Sequence, residues 1–183
     1  MQPLKVMIVR HGEKPADNEN QHPPLGVDED GRHDPRSLSP LGWQRAGALA
    51  PWFARATSPA ATPAALFAAH HHGSSHRARQ TLMPLAGFLK LPIQADLPVG
   101  EEQKLAEAVL ACDGPVLIAW EHKALPRIPR LLAGPALQCP AEWPEERFDL
   151  VWVLDRDAHG AWRFTQVPQQ LLGGDSPALL PLG

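Results

Sequence analysis

Arginine and histidine recur at the points where apolar runs stop. Leu4–Val9 runs into Arg10, His11, Gly12 and Glu13. Ala64–Ala69 runs into His70, His71 and His72, with Arg77 shortly after. Pro115–Trp120 runs into Glu121, His122 and Lys123. Guanidinium groups grip phosphoryl oxygens in a bidentate fork and stay charged at any relevant pH. Imidazole adds a nucleophilic nitrogen, and neighbouring cations lower its pKa so that the lone pair remains free. Gly12 is expected to permit a tight turn and a close approach of the backbone to an oxyanion. Together these residue types suit the binding and transfer of a phosphoryl group.

The elements that carry them can be laid out along the chain. Leu4–Val9 is rich in Val and Ile, the pattern of a strand buried on both faces. A long polar segment, 16–37, follows and is expected to shape the entrance to a site. In "SPLGWQRAGALAPWFARA" Ser39 is an N-cap and Pro40 occupies the first helical position. Leu41, Leu49, Trp52, Phe53 and Ala56 make its apolar face, and Pro51 is expected to kink it. "AALFAA" is a second strand, "HRARQTLMPLAGFLK" a second helix, "EEQKLAEAVLA" a third and "PVLIAW" a further strand. "EHKALPRIPRLLAG" is a loop and a broken helix. "DLVWVL" and "AWRFTQV" flank the turn "DRDAHG" as a hairpin. The tail "LLGGDSPALLPLG" shows no period.

Alternating strands and helices closed by a hairpin predict an α/β fold. The expected architecture is three-layer: a mostly parallel sheet, helices on both faces and an antiparallel edge hairpin. One domain is expected over residues 1–183, a length that supports a sizeable core. Ligands of such sheets bind outside the carboxyl ends of the strands, so the three polar clusters are expected to share one rim.

Composition narrows the function classes. A net charge of −3 gives no general attraction to nucleic acid or anionic membrane. No run approaches the roughly 18 apolar residues of a membrane span. Cys112 and Cys139 are too few for a disulfide framework or a metal knuckle, which fits a cytoplasmic setting. Tyr is absent, so no phenol serves as acid, base or nucleophile. The run His70–His72 lacks the ligand spacing of a metal site, because consecutive residues on an extended chain alternate sides. Neither a metal nor a cofactor is expected.

The strings "VRHGE", "LSPLGWQRA", "SSHRARQT" and "LIAWEHKALPRI", in that order from the first strand to about Leu132, resemble the histidine phosphatase superfamily, also called phosphoglycerate mutase-like. The resemblance implies that His11 is the nucleophile that becomes phosphorylated. It implies that Arg10 and Arg77 clamp the phosphoryl oxygens and that His122 hydrogen-bonds one of them. Ser39–Gly42 matches a helix-opening motif without chemistry of its own. Glu101 and Glu102 lie roughly where the family often places its proton donor, and Glu101 is the expected one; Glu121 and Glu13 are rivals, with Glu13 more naturally paired to an arginine or Lys14. Glycine often follows the late histidine in that family, whereas here Lys123 does, either contacting an anionic substrate or facing water. Glu121 precedes it, where a small residue is usual. The chain is short for a mutase of the family, so the expected activity is metal-independent hydrolysis of a phosphomonoester, with a phosphorylated small molecule or phosphopeptide as partner. The alternative is a catalytically weak phosphate- or phosphoprotein-binding module on the same fold.

Overall fold

The computed structural model describes residues 4–15, 26–70 and 75–183. Six strands form one sheet in the order β3-β2-β4-β1-β5-β6: β1 Leu4–Arg10, β2 Ala65–Ala68, β3 Ile93–Gln94, β4 Val116–Trp120, β5 Leu150–Arg156 and β6 Trp162–Pro168. The pairs β1–β4, β2–β4 and β2–β3 are parallel; β1–β5 and β5–β6 are antiparallel. Four helices connect them: α1 Pro40–Ala54, α2 Arg77–Leu89, α3 Glu102–Leu110 and α4 Arg127–Ala133.

The route of the chain places these helices. The connections through α1 and α2 step one way across the sheet, and the connection through α3 steps back. Parallel crossovers are right-handed, so the reversal puts α3 on the face opposite α1 and α2. Helix α1 packs on α2, and α3 packs on α4. The three central strands are therefore covered on both sides, which is why Val6 to Val9 and Val116 to Trp120 are buried without alternation. The mostly parallel, two-faced α/β architecture and the edge hairpin agree with the reading of the sequence.

Local chemistry sets the element ends. Ser39 Oγ accepts the Gly42 N–H at 3.1 Å and caps α1, with Pro40 next to it at the first helical position. Helix α1 runs through Pro51 and stops three residues later. Leu49 and Phe53 are buried as expected, but Leu41 is 48% exposed. The first turn of α1 faces the loop after β1, so the inward position there belongs to Gly42. In the hairpin, Asp157 Oδ1 accepts the N–H groups of His159 and Ala161, and Gly160 takes φ +89°. Strand β3 has only two residues and no apolar run, so periodicity does not reveal it. The aperiodic tail is held by side chains: Asp149 Oδ2 accepts the Ser176 N–H at 2.6 Å, and Asp175 binds Arg45 at 2.7 Å.

Two glycines of α1 have opposite surroundings. A Cβ on Gly42 would lie 2.4 Å from the Glu13 carbonyl oxygen and 2.9 Å from the Glu13 nitrogen, backbone atoms that cannot swing aside. A Cβ on Gly47 would meet nothing within 4 Å. In urea denaturation Gly42→Ala is expected to lose about 1–3 kcal/mol, the usual penalty of overpacking. Gly47→Ala is expected to gain roughly 0.5–1 kcal/mol from helix propensity. Equal effects at both positions would contradict the close approach of α1 to the loop after β1.

Candidate active site

The in-register parallel pairing brings the strand ends level. Arg10 lies opposite Trp120, and Ala68 lies opposite Ala119. The His11 N–H extends the ladder by donating to the Trp120 carbonyl at 3.2 Å, and the Ala69 N–H donates to Ala119 at 3.2 Å. The residues that follow, His11, His70 and Glu121–His122, therefore emerge side by side. They line a cavity of about 250 Å³ together with Arg10, Arg77 and Lys123.

The His11 ring has a defined tautomer. Its Nδ1 lies 2.8 Å from the carbonyl oxygen of Gly12, which can only accept. Nδ1 therefore carries the proton, and Nε2 keeps the lone pair. Burial pushes the His11 pKa down to about 3; the charges of Arg10, Arg77 and His122 push the same way, against the bond to Gly12. The ring is neutral, as a nucleophile must be.

Gly12 is fixed in turn. Its N–H donates to Thr81 Oγ1 at 2.8 Å, and a Cβ there would come within 3.0 Å of the Gly42 carbonyl. Gly12 does not line the cavity, and both its polar groups are engaged inside the protein. Its expected contact with the oxyanion gives way to a different task, the orientation of His11.

Arg10 is 1% exposed. Its Nη1 donates to the Glu145 carbonyl, with the carbonyls of Pro144 and Arg147 each 3.4 Å away, and the guanidinium stacks 3.8 Å over Phe148. Nε and Nη2 have no hydrogen-bond partner in the described protein, so donors remain for a ligand. Burial lowers the Arg10 pKa to about 10, opposed by Glu145 and Glu121, and the group stays charged at neutrality. Arg77 begins α2, donating from Nε to the Ser37 carbonyl at 3.1 Å and from Nη2 to the Pro35 carbonyl at 2.7 Å. These bonds hold its guanidinium at the rim. The pKa of His122 is also lowered, by burial and then by Arg10, against the pull of Glu121 and Glu145.

The carboxylates separate by place. Glu101 is outside the cavity lining and pairs with Lys104 at 2.8 Å. Glu102 is buried, accepting from Gly100 N–H and Trp120 Nε1 and facing Arg127. It pins α3 to the end of β4, and Trp120 is core. Glu13 accepts from Arg45 Nε at 2.8 Å, within a buried cluster that ties Arg45 to Gln169 and Asp175. Arg45 is thus a packed ionic anchor at the start of α1. Trp43 donates from Nε1 to the Val27 carbonyl at 2.7 Å; residues 16–25 of the expected entrance segment lie outside the described residues. Of the four glutamates considered from the sequence, only Glu121 lines the cavity.

Sequence reasoning missed Glu145, which also lines the cavity and pairs with Lys14 at 2.7 Å. It missed the 144–148 segment that holds Arg10 as well. That stretch has no period and no motif, so nothing in its composition points to the site. Among the described residues no group of three or more histidines, cysteines or acids clusters as metal ligands. His71 and His72 lie outside the described residues. No helix among the described residues is long and apolar enough to cross a membrane.

The same fold occurs in solved structures of phosphatases. The protein histidine phosphatase SixA complexed with tungstate matches with a TM-score of 0.57 at 19% identity, over 90% of this chain and 97% of that one. A phosphoserine phosphatase from Entamoeba histolytica, in complex with 3-phosphoglyceric acid, matches at 0.53 and 14%, over 92% and 100%. A mycobacterial glucosyl-3-phosphoglycerate phosphatase with inorganic phosphate matches at 0.51 and 13%, over 88% and 95%. No protein-family model matches the chain, and no curated protein matches it in sequence.

The buried histidine makes stability pH-dependent. Between its ordinary pKa of 6.5 and the folded value of about 3, the unfolded chain takes up a proton that the folded chain does not. Stability is then complete above pH 6.5 and falls as pH drops, by at most about 1.4 kcal/mol per pH unit from this residue. Urea midpoints at pH 7 and pH 4.5 are expected to fall more for the wild type than for His11→Asn. Parallel losses would mean that His11 titrates normally.

Proposed function

We propose that the protein is a metal-independent phosphatase that hydrolyses a phosphomonoester through a phosphohistidine on His11. The observation that carries this reading is the His11 tautomer: Nδ1–H is tied to Gly12, and a neutral Nε2 remains at a cavity whose walls carry Arg10 and Arg77. The fold shared with phosphatases that bind phosphate, tungstate and 3-phosphoglyceric acid supports it.

In this mechanism the phosphoryl group sits among Arg10, Arg77 and His122, with His11 Nε2 in line opposite the leaving oxygen. The guanidinium groups stabilise the charge on the equatorial oxygens, Arg10 from a buried position where electrostatic interactions are stronger than in water and Arg77 from the rim. The P–O bond to the leaving group breaks as the P–N bond forms. Water then attacks phosphorus, the P–N bond breaks, and inorganic phosphate leaves. The substrate is a phosphorylated small molecule or phosphopeptide.

His11→Ala is expected to abolish turnover of an aryl phosphate, and the wild type is expected to show acid-labile, alkali-stable phosphate on His11 after rapid quench. Arg77→Ala is expected to raise the barrier by about 3 kcal/mol, a loss of roughly 10²–10³ in kcat/KM. Turnover is expected to survive chelator unchanged. Retained activity in His11→Ala would overturn the mechanism. Tight phosphate binding without label or turnover would instead assign a binding module, and loss of activity in chelator a metal-dependent hydrolase.

A further inference from the structure

Departure of an alkoxide needs a proton, and the expected donor, Glu101, is turned to Lys104. Glu102 and Glu13 are bound elsewhere in the protein. Glu145 is exposed, and its bond to Lys14 holds its carboxyl below the usual carboxylate range, which suits an ion better than an acid. His122 and Glu121 remain, adjacent in sequence and both on the cavity wall.

Their geometry is specific. Glu121 Oε1 lies 2.9 Å from His122 Nδ1, and Glu121 Oε2 accepts the Lys123 N–H at 3.1 Å. The carboxylate is thereby held by its own turn. The 2.9 Å approach lacks hydrogen-bond alignment, and His122 Nδ1 is buried without another partner among the described residues. The charges that act on the ring are Arg10 from β1, Glu121 and Lys123 from the end of β4, and Glu145 from the 144–148 segment. Burial and then Arg10 lower the ring's pKa and so favour its neutral form. A bound phosphate offsets the charge of Arg10, after which Glu121 favours the imidazolium.

We propose that His122 is the proton donor to the leaving group and that Glu121 is the positioning residue that orients and charges it. The proposal rests on the phosphatase reading above. Substrate monoanion delivers one proton to the complex, and His122 takes it with Nδ1–H turned to Glu121. As His11 Nε2 bonds to phosphorus and the P–O bond breaks, His122 Nε2–H passes its proton to the departing oxygen, and a neutral alcohol leaves. In the second step neutral His122 Nε2 removes a proton from the attacking water, the P–N bond breaks, and the imidazolium is restored. The carboxylate stays ionised throughout, as in other carboxylate–imidazole pairs.

Glu121→Gln tests this on a series of aryl and alkyl phosphates. General-acid help is worth roughly 10²–10⁴-fold and matters most for poor leaving groups. The kcat/KM for an alkyl phosphate is expected to fall at least tenfold more than that for 2,4-dinitrophenyl phosphate. The basic limb of kcat is expected to move to lower pH, because loss of the carboxylate lowers the His122 pKa. Equal losses across the series would leave Glu121 a structural residue, and a steeper leaving-group dependence in Glu145→Gln instead would make Glu145 the donor. A second measurement does not need turnover: histidine ¹⁵N titration with saturating inorganic phosphate. The His122 pKa is expected to rise on binding in the wild type and to rise less in Glu121→Gln. Identical titrations overturn the pair even where catalysis succeeds. Absence of turnover or His11 label in the wild type, with the titration difference present, would fault the phosphatase reading rather than the pair.

Discussion

One hydrogen bond organises the site: His11 Nδ1–H to the carbonyl of Gly12, 2.8 Å long. It joins a side chain to the next residue of its own backbone, so its geometry is set by the turn after β1. That turn is held from three directions. The Gly12 N–H is bound to Thr81 of α2, Gly42 of α1 presses on Glu13, and Arg45 holds the Glu13 carboxylate. A residue with a side chain at Gly42 would force α1 away from the turn. Much of the packing around the first strand thus serves to keep one imidazole nitrogen unprotonated and aimed.

The same site concentrates positive charge on a buried Arg10 and a half-buried Arg77, and the protein offsets the cost by hydrogen bonding. Arg10 is buried, yet its Nη1 meets backbone carbonyls and its face meets Phe148. Arg77 is held by the carbonyls of Pro35 and Ser37. Carbonyl oxygens bind guanidinium without cancelling its charge, whereas a facing carboxylate would compete with a phosphate. The carboxylates that do occur at the cavity, Glu121 and Glu145, sit towards His122 and Lys14. Both carboxylates nonetheless lie near enough to Arg10 to oppose the lowering of its pKa.

Much of this was legible in the order of residues. Apolar runs at Leu4, Ala64 and Pro115 marked the parallel core strands, and the Ser39–Pro40 pair marked the start of α1. Arg10, His11 and His122 converge because each stands at or just past a strand end, and Arg77 joins them from the start of α2. Other features were not legible, for physical reasons. Strand β3 is two residues of edge pairing with no periodicity to detect. Leu41 fits the apolar face by spacing, but the close approach of α1 at Gly42 left it outside. Glu101 and Glu102 are adjacent and chemically alike, yet one turns to Lys104 and the other is buried against Trp120.

The amino-acid sequence by itself determined the alternation of elements and the charge of the rim. These depend on hydrophobic period, turn chemistry and residue type, all of which are local. Only the tertiary structure decided which carboxylate reaches the cavity, how Arg10 is held by the 144–148 segment and how the aperiodic tail closes on Arg45 through Asp175. Those contacts join residues more than a hundred positions apart. The partners of Arg10 are backbone carbonyls, and every residue type carries one, so no pattern of side chains announces them.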